Sequence, residues 1–196
     1  MKHAKKNHAM ISAALLATVA TAAIGCSSSS ATTAATSSPR KTSSASLADG
    51  SQVTSLLQSG LTQADKKNWS AATATFQKVL AINPGNVYAN YDLGVIAQST
   101  GHPNAAISYY NKALAANAAY QPAMYNAAIL LESSHPQQAI ALYQKIVSLD
   151  PKASTAYLRL ALVQAEQGDT NDAKANAAKA VALDPALSKY KLPAKN

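Results

Sequence analysis

The chain has 196 residues and a formal net charge of +8, from 17 Lys or Arg against nine Asp or Glu. Most of this excess lies near the two ends, because residues 53–187 hold nine basic and eight acidic residues, a net charge of +1. A nearly neutral central segment has no clustered basic face to follow a phosphate backbone, so the composition argues against a nucleic-acid partner. The length suits one ordinary domain with a substantial core.

The first segment has the pattern of an export signal. Residues 1–8 carry three lysines, and the stretch 9–24 follows without a charge. A helix needs roughly 20 apolar residues to span a bilayer, so this stretch is short for a membrane span. A basic start, a short apolar stretch and small residues after it predict a secretory signal peptide over residues 1–25, removed from the mature protein.

The single cysteine stands at the end of this leader, in Ala23-Ile24-Gly25-Cys26. These residues resemble a bacterial lipobox, although that family usually has Leu where Ala23 stands. The resemblance implies that lipid is attached to the Cys26 thiol and that cleavage leaves Cys26 as the new N-terminus. It also implies an exported protein, lipid-anchored on the extracytoplasmic side of the cell membrane. Ordinary signal cleavage after Ala22 is the alternative.

The segment after the cysteine is rich in small residues. In the stretch 27–48, every residue except Pro39, Arg40, Lys41 and Leu47 is Ser, Thr or Ala. Such a composition lacks the apolar surface needed to offset the entropy lost on ordering. Residues 26–48 are therefore predicted to be a disordered tether, and whether it carries sugar stays open.

The rest of the chain repeats with a period of about 34 residues, within the range of helix-pair repeats. Small residues recur at matched places in four successive units, whereas rings and closing prolines each recur in three of the four. The alanines are Ala72, Ala106, Ala139 and Ala173, the rings that follow them are Phe76, Tyr110 and Tyr143, and the small residues that precede them are Gly60, Gly94, Ala128 and Ala161. This period with these residue types indicates a stack of helix pairs, which usually forms a binding surface.

Each unit contains signals for the start of its second helix. Asn68 and Asp169 are good N-cap residues, because their side chains can accept a hydrogen bond from the first turn. Proline suits the first helical position, where a missing N–H has no cost. The predicted first residues are Trp69, Pro103, Pro136 and Thr170.

These residues resemble the tetratricopeptide repeat family, with the second unit the most similar: Leu93-Gly94, Gly101, Ala106, Tyr110 and Ala113 are in register. The resemblance implies an all-α fold, a right-handed solenoid of about four antiparallel helix pairs over residues 49–187. Residues 188–196 would form a basic C-terminal tail. Leu187, Tyr190 and Leu192 are expected to cover the last unit in part, unless a second copy does so.

No catalytic or metal-binding constellation is present in the sequence. His102 and His135 occupy equivalent turns, but two histidines without a third ligand make a poor zinc site. No Ser, His and acidic residue converge on a predictable elbow, and no Gly-rich phosphate loop, HExxH or CxxC occurs. The sequence therefore predicts no enzyme activity, no metal and no cofactor.

The family geometry implies that the first helix of each pair faces the hollow side of the stack. The predicted peptide-binding groove is lined by Leu57, Leu61, Tyr88, Tyr91, Asp92, Val95, Tyr125, Asn126, Ile129, Leu158, Arg159 and Leu162. A clamp for a C-terminal carboxylate is not predicted, because only Asn126 and Arg159 match its five places. Packing between helices is the alternative for Tyr88 and Tyr91, and it is the favoured interpretation for Tyr110 and Tyr143.

Together these features predict a non-enzymatic protein-binding scaffold on the outside of a bacterial cell, with a protein or peptide partner in the cell envelope. Family members with a lipobox leader often serve pilus, secretion or outer-membrane assembly, and the resemblance extends that expectation to this chain. The alternative is a structural self-association module that forms a homo-oligomer.

Overall fold

A computed structural model describes the backbone of residues 43–193 and the side chains from residue 49 onward. Eight α-helices and a closing 3-10 helix follow one another, with no strand in this part of the chain. They are α1 Ser43–Asp65, α2 Trp69–Ile82, α3 Val87–Ser99, α4 Pro103–Ala116, α5 Gln121–Leu131, α6 Pro136–Leu149, α7 Ser154–Glu166, α8 Thr170–Leu183 and the 3-10 helix Pro185–Lys189. Each odd-numbered helix packs against the next, and each pair packs against its neighbours along the chain. The predicted all-α solenoid of four helix pairs is confirmed.

The second helices begin at the predicted residues Trp69, Pro103, Pro136 and Thr170. Asn68 caps α2, since its Oδ1 accepts a hydrogen bond from the Ala71 N–H at 3.4 Å. Asp169 occupies the N-cap of α8, but its side chain makes no capping hydrogen bond. Local capping therefore sets the boundary at Asn68, whereas at Asp169 only the position matches the prediction.

The first helix starts at Ser43, ahead of the predicted domain start at residue 49 and inside the segment assigned to the tether. Adding a residue to an existing helix costs far less than nucleating a new one, which explains the extension into Ser- and Ala-rich sequence. The predicted signal peptide (1–25) and Cys26 lie outside the described residues. No helix within residues 43–193 is long and apolar enough to cross a membrane.

The core is built from small residues that face rings. A Cβ placed on Gly60 would lie 2.6 Å from Phe76 Cε1, and one on Gly94 would lie 2.5 Å from Tyr110 Cε1. Neither position has room for a Cβ atom. Helices α1 and α2, and likewise α3 and α4, therefore approach this closely because glycine stands at these two positions. Phe76, Tyr110 and Tyr143 are fully buried, which confirms the packing interpretation of the two tyrosines.

One side-chain hydrogen bond joins the two helices of every pair. The donors and acceptors are Thr75 Oγ1 to Gln63 Oε1 (2.8 Å), Tyr110 OH to Gln98 Oε1 (2.7 Å), Tyr143 OH to Glu132 Oε1 (2.7 Å) and Asn176 Nδ2 to Gln164 Oε1 (2.7 Å). A buried polar group without a partner would cost about 1–3 kcal/mol, so each bond removes a penalty and fixes the register of its pair. The acceptors stand near or just past the C-terminal ends of the first helices. Two of them, Gln98 and Glu132, orient the Tyr110 and Tyr143 hydroxyl groups.

The C-terminal end of the stack is covered by the 3-10 helix. Leu187 is 8% exposed and packs in one cluster with Leu158 and Ala180. Tyr190 remains 38% exposed. The predicted partial cover by Leu187 is thus present, and it comes from residues within the same chain.

Candidate protein-binding surface

Four tyrosines from the second and third units meet beside α3, and we call Tyr88, Tyr91, Tyr110 and Tyr120 the tyrosine cluster. The Tyr88 and Tyr120 rings lie 5.9 Å apart at 89°, and the Tyr91 and Tyr120 rings lie 5.4 Å apart at 83°. Tyr91 and Tyr110 are 5.9 Å apart at 38°. The two edge-to-face pairs, both made with Tyr120, contribute about 0.5–1.5 kcal/mol each beyond the area they bury, so the cluster is a stable, preformed feature.

Asn126 connects the tyrosine cluster to α5. Its Nδ2 donates to the Tyr91 hydroxyl at 3.3 Å and to the Tyr110 hydroxyl at 3.4 Å. The Tyr110 hydroxyl in turn donates to Gln98. This chain of hydrogen bonds orients the two hydroxyl groups and holds the second and third units together.

Asp92 is a partly buried carboxyl group beside the tyrosine cluster. Burial raises its pKa from 3.8 to about 7, because a charged carboxylate is poorly solvated there. Burial also raises the pKa of Tyr91, and the nearby Asp92 charge raises it further. No basic side chain among the described residues forms an ion pair with Asp92. When Asp92 is ionised, its charge therefore has no ion-pair partner among the described residues.

A second set of interacting side chains joins the third and fourth units. Arg159 Nη2 donates to Glu132 Oε2 at 2.9 Å, and the Tyr143 hydroxyl donates to Glu132 Oε1. The Tyr125 ring meets the Tyr143 ring at 5.8 Å and 72°. Burial first, and the Glu132 charge second, raise the pKa of Tyr143, so its hydroxyl stays protonated. The Arg159 charge is thus balanced inside the protein.

The structure places the twelve predicted groove residues in three classes of exposure. Leu61 (42%) and Tyr88 (57%) are exposed, and Leu158 (7%) is buried. The partly buried ones are Leu57, Tyr91, Asp92, Val95, Tyr125, Asn126, Ile129, Arg159 and Leu162. Leu158 packs in one cluster with Leu187 of the 3-10 helix, so it does not line an open surface.

Three residues that contribute to these two groups of side chains, Tyr120, Gln98 and Glu132, were given no role by the sequence. Tyr120 stands in the turn before α5, where nothing in the repeat pattern marks an aromatic residue. Gln98 and Glu132 stand at equivalent places near the ends of α3 and α5. Comparing the units at that place would have indicated a shared role, since both accept from the ring hydroxyl of the second helix.

The two turn histidines bond to neighbouring hydroxyl groups. His102 Nδ1 lies 3.1 Å from Thr100 Oγ1, and His135 Nδ1 lies 3.0 Å from Ser134 Oγ. Within residues 43–193 no three His, Cys, Asp or Glu side chains are grouped so that they could hold a metal ion.

The repeat pattern and the helix pairs define the class of protein. A family model described as tetratricopeptide repeat matches residues 63–128 and 130–191, and the chain belongs to this family. No curated protein matches the chain.

Solved structures share the fold. A crystal structure of MamA is 27% identical with a TM-score of 0.64, over 74% of this chain and 85% of that one. PilF of Pseudomonas aeruginosa is 24% identical with a TM-score of 0.62, over 72% of this chain and 66% of that one. YrrB, described as a TPR protein with an unusual peptide-binding site, is 21% identical with a TM-score of 0.60, over 70% of this chain and 71% of that one. At these last two identities the likeness shows the fold alone.

Proposed function

We propose that the protein is a non-enzymatic, protein-binding scaffold, held by lipid at Cys26 on the outside of a bacterial cell membrane and serving assembly in the cell envelope. Membership of the repeat family supports the binding role. The leader and the single cysteine support the location.

The tyrosine cluster is the observation that carries the binding role. Tyr88 is the most exposed large hydrophobic side chain of the described residues, and its ring is held in place by Tyr120. Aromatic rings that are rigid and partly exposed provide contact area at a low cost in conformational entropy, which makes them effective anchors for a protein segment. A peptide lying across the first helices would meet Tyr88 first and Asp92 beside it.

Replacing Tyr88 tests this surface with little risk to the fold. Tyr88→Ala is expected to weaken capture of the partner at least fivefold, about 1 kcal/mol, because it removes an exposed anchor. Capture is measured by crosslinking in intact cells, with the captured proteins quantified at equal amounts of folded scaffold. The structure favours this change over Tyr91 and Arg159, whose side chains bond to Asn126 and Glu132.

Leu149→Ala is the matched control, since Leu149 is similarly exposed (46%) but ends a second helix. Its capture should equal that of the wild type. Equal capture by Tyr88→Ala and the wild type would place the binding surface elsewhere.

Cys26→Ser tests the anchor separately. The change removes the thiol that would carry lipid, so the protein should move from the membrane fraction to the medium or periplasm. Labelled fatty acid should enter the wild type and be absent from the variant. A wild type that takes up no label would instead support ordinary signal cleavage.

Self-association is the second candidate function. Beyond the last helix pair, Tyr190 is 38% exposed and Leu192 is partly exposed, so this end offers apolar surface to a second copy. Sedimentation over a range of concentrations separates the two functions. A monomer at every concentration excludes self-association.

A further inference from the structure

We propose that Asp92, together with Tyr88, Tyr91 and Tyr120, receives a lysine or arginine side chain of the protein partner. The inference rests on the proposed scaffold function and adds the chemistry of the partner, a basic segment.

The rings provide the geometry for a cation. Two nearly perpendicular ring pairs share Tyr120, so the three rings form a corner and do not lie in one flat stack. Tyr88 is 57% exposed, so its ring is accessible from solvent at the edge of this corner. A cation close to the face of a tyrosine ring is attracted by the negative charge density there, and more strongly where water is excluded.

The carboxyl group provides the charge complementarity. Asp92 interacts electrostatically with Tyr91, Tyr110 and Tyr120, which lie on α3, on α4 and just before α5. These are neutral phenols with raised pKa values, so none of them supplies a counter-charge. An incoming ammonium or guanidinium group would compensate the carboxylate and favour its ionised form.

An acidic segment is disfavoured at the same place. It would bring a second negative charge to a partly buried carboxylate, a costly arrangement. Arg159, the one base on the first helices from α3 to α7, is already paired with Glu132 at 2.9 Å. From α3 to α7, the described first helices and their C-caps carry the acids Asp92, Glu132 and Glu166 against the single base Arg159. This excess of negative charge favours a basic partner.

The proposal is tested with short capped peptides and the full chain. The probes are Ala-Ala-Lys-Ala-Ala and the same peptide with Glu or Met in place of Lys. Titration followed by tyrosine ring signals in NMR spectra should show binding of the Lys peptide, on the order of millimolar for so short a segment. The Glu and Met peptides should bind at least fivefold more weakly.

The variants Asp92→Asn and Tyr88→Ala test whether the Lys peptide binds at this corner. Both variants should weaken binding of that peptide. Asp92→Asn should weaken the Lys peptide about tenfold, whereas Asp65→Asn, an exposed residue at the end of α1, should leave it unchanged. For the wild type, binding should be stronger at about pH 8.5 than at about pH 5.5, because Asp92 is ionised above its pKa of about 7. Asp92→Asn should show no such dependence.

Results that contradict a basic partner can be told apart from results that contradict the surface itself. No binding of the Lys peptide, equal binding of the Lys and Glu peptides, or an unchanged affinity in Asp92→Asn would overturn the assignment of a basic partner. Partner capture in cells that still depends on Tyr88 would then leave the scaffold function in place. If capture is also independent of Tyr88, the proposed surface itself is wrong.

Discussion

Glu132→Ala is expected to lower the free energy of unfolding by about 3 kcal/mol. The substitution leaves the Tyr143 hydroxyl without its acceptor and leaves the Arg159 guanidinium, 28% exposed, without its counter-charge. Removing one partner of a buried ion pair costs about 3–5 kcal/mol, and the partial exposure of both side chains places this case at the lower end. Urea unfolding followed by circular dichroism measures the change.

Two controls separate the charge from the hydrogen bond. Glu132→Gln retains an acceptor for Tyr143 but not the negative charge for Arg159, so its effect should be intermediate. Glu166→Ala removes an exposed acid at the end of α7 and should change stability by less than about 0.5 kcal/mol. A loss in Glu132→Ala no greater than in Glu166→Ala would show that the pair contributes nothing to stability.

Asp92→Asn is expected to remove part of the decline in stability that the wild type shows as pH rises from about 4 to 7. The folded-state pKa of Asp92 is raised to about 7 from 3.8, so between these values the folded protein binds more protons than the unfolded chain. Stability from this group is therefore full below the unfolded-state value and is lost as pH rises toward 7. The variant should be more stable than the wild type by ~2 to 3 kcal/mol at about pH 8 and nearly equal to it at about pH 4.

The measurement is the midpoint of urea unfolding for both proteins at several pH values. Asp65→Asn, which removes an acid from an exposed position at the end of α1, is the control for the loss of one carboxylate. A difference between Asp92→Asn and the wild type that does not change with pH would mean that Asp92 titrates near its ordinary value. Asp92→Asn should therefore be more stable than the wild type but bind a basic peptide more weakly, since the carboxylate that destabilises the fold is the group proposed to attract a cation.

Several features of the fold were predictable because they depend on residues close together in the sequence. Asn68, Pro103 and Pro136 define the starts of second helices through local capping and the properties of proline. The recurrence of small residues and rings indicated helix pairs, and the structure adds the contact behind it, since a Cβ placed on Gly94 would lie 2.5 Å from the Tyr110 ring. The regular repeat period determined the number of units, since each unit must bury its apolar face against the next.

The candidate site was predictable only in part. The resemblance to the repeat family implied Tyr88, Tyr91 and Asn126, because in that family's geometry the first helices share one face of the stack. It did not indicate that Arg159 would bond to Glu132, which stands much earlier in the chain. Tyr120 was also missed, because a residue in a turn has no place in a helical period.

The sequence by itself determined the helix pairs, their number and the first residues of the second helices, all consequences of short-range periodicity and local capping. Only the tertiary structure decided which of the described polar side chains are neutralised and which meet no counter-charge. Asp92 and Arg159 occupy equivalent places in units two and four, yet Arg159 forms an ion pair with Glu132 from the neighbouring unit, whereas Asp92 lies near tyrosine hydroxyl groups and forms no ion pair among the described residues. The reason is physical: the free energy of a buried charge depends on what neighbouring helices bring within a few ångströms of it, and that is set by packing between units.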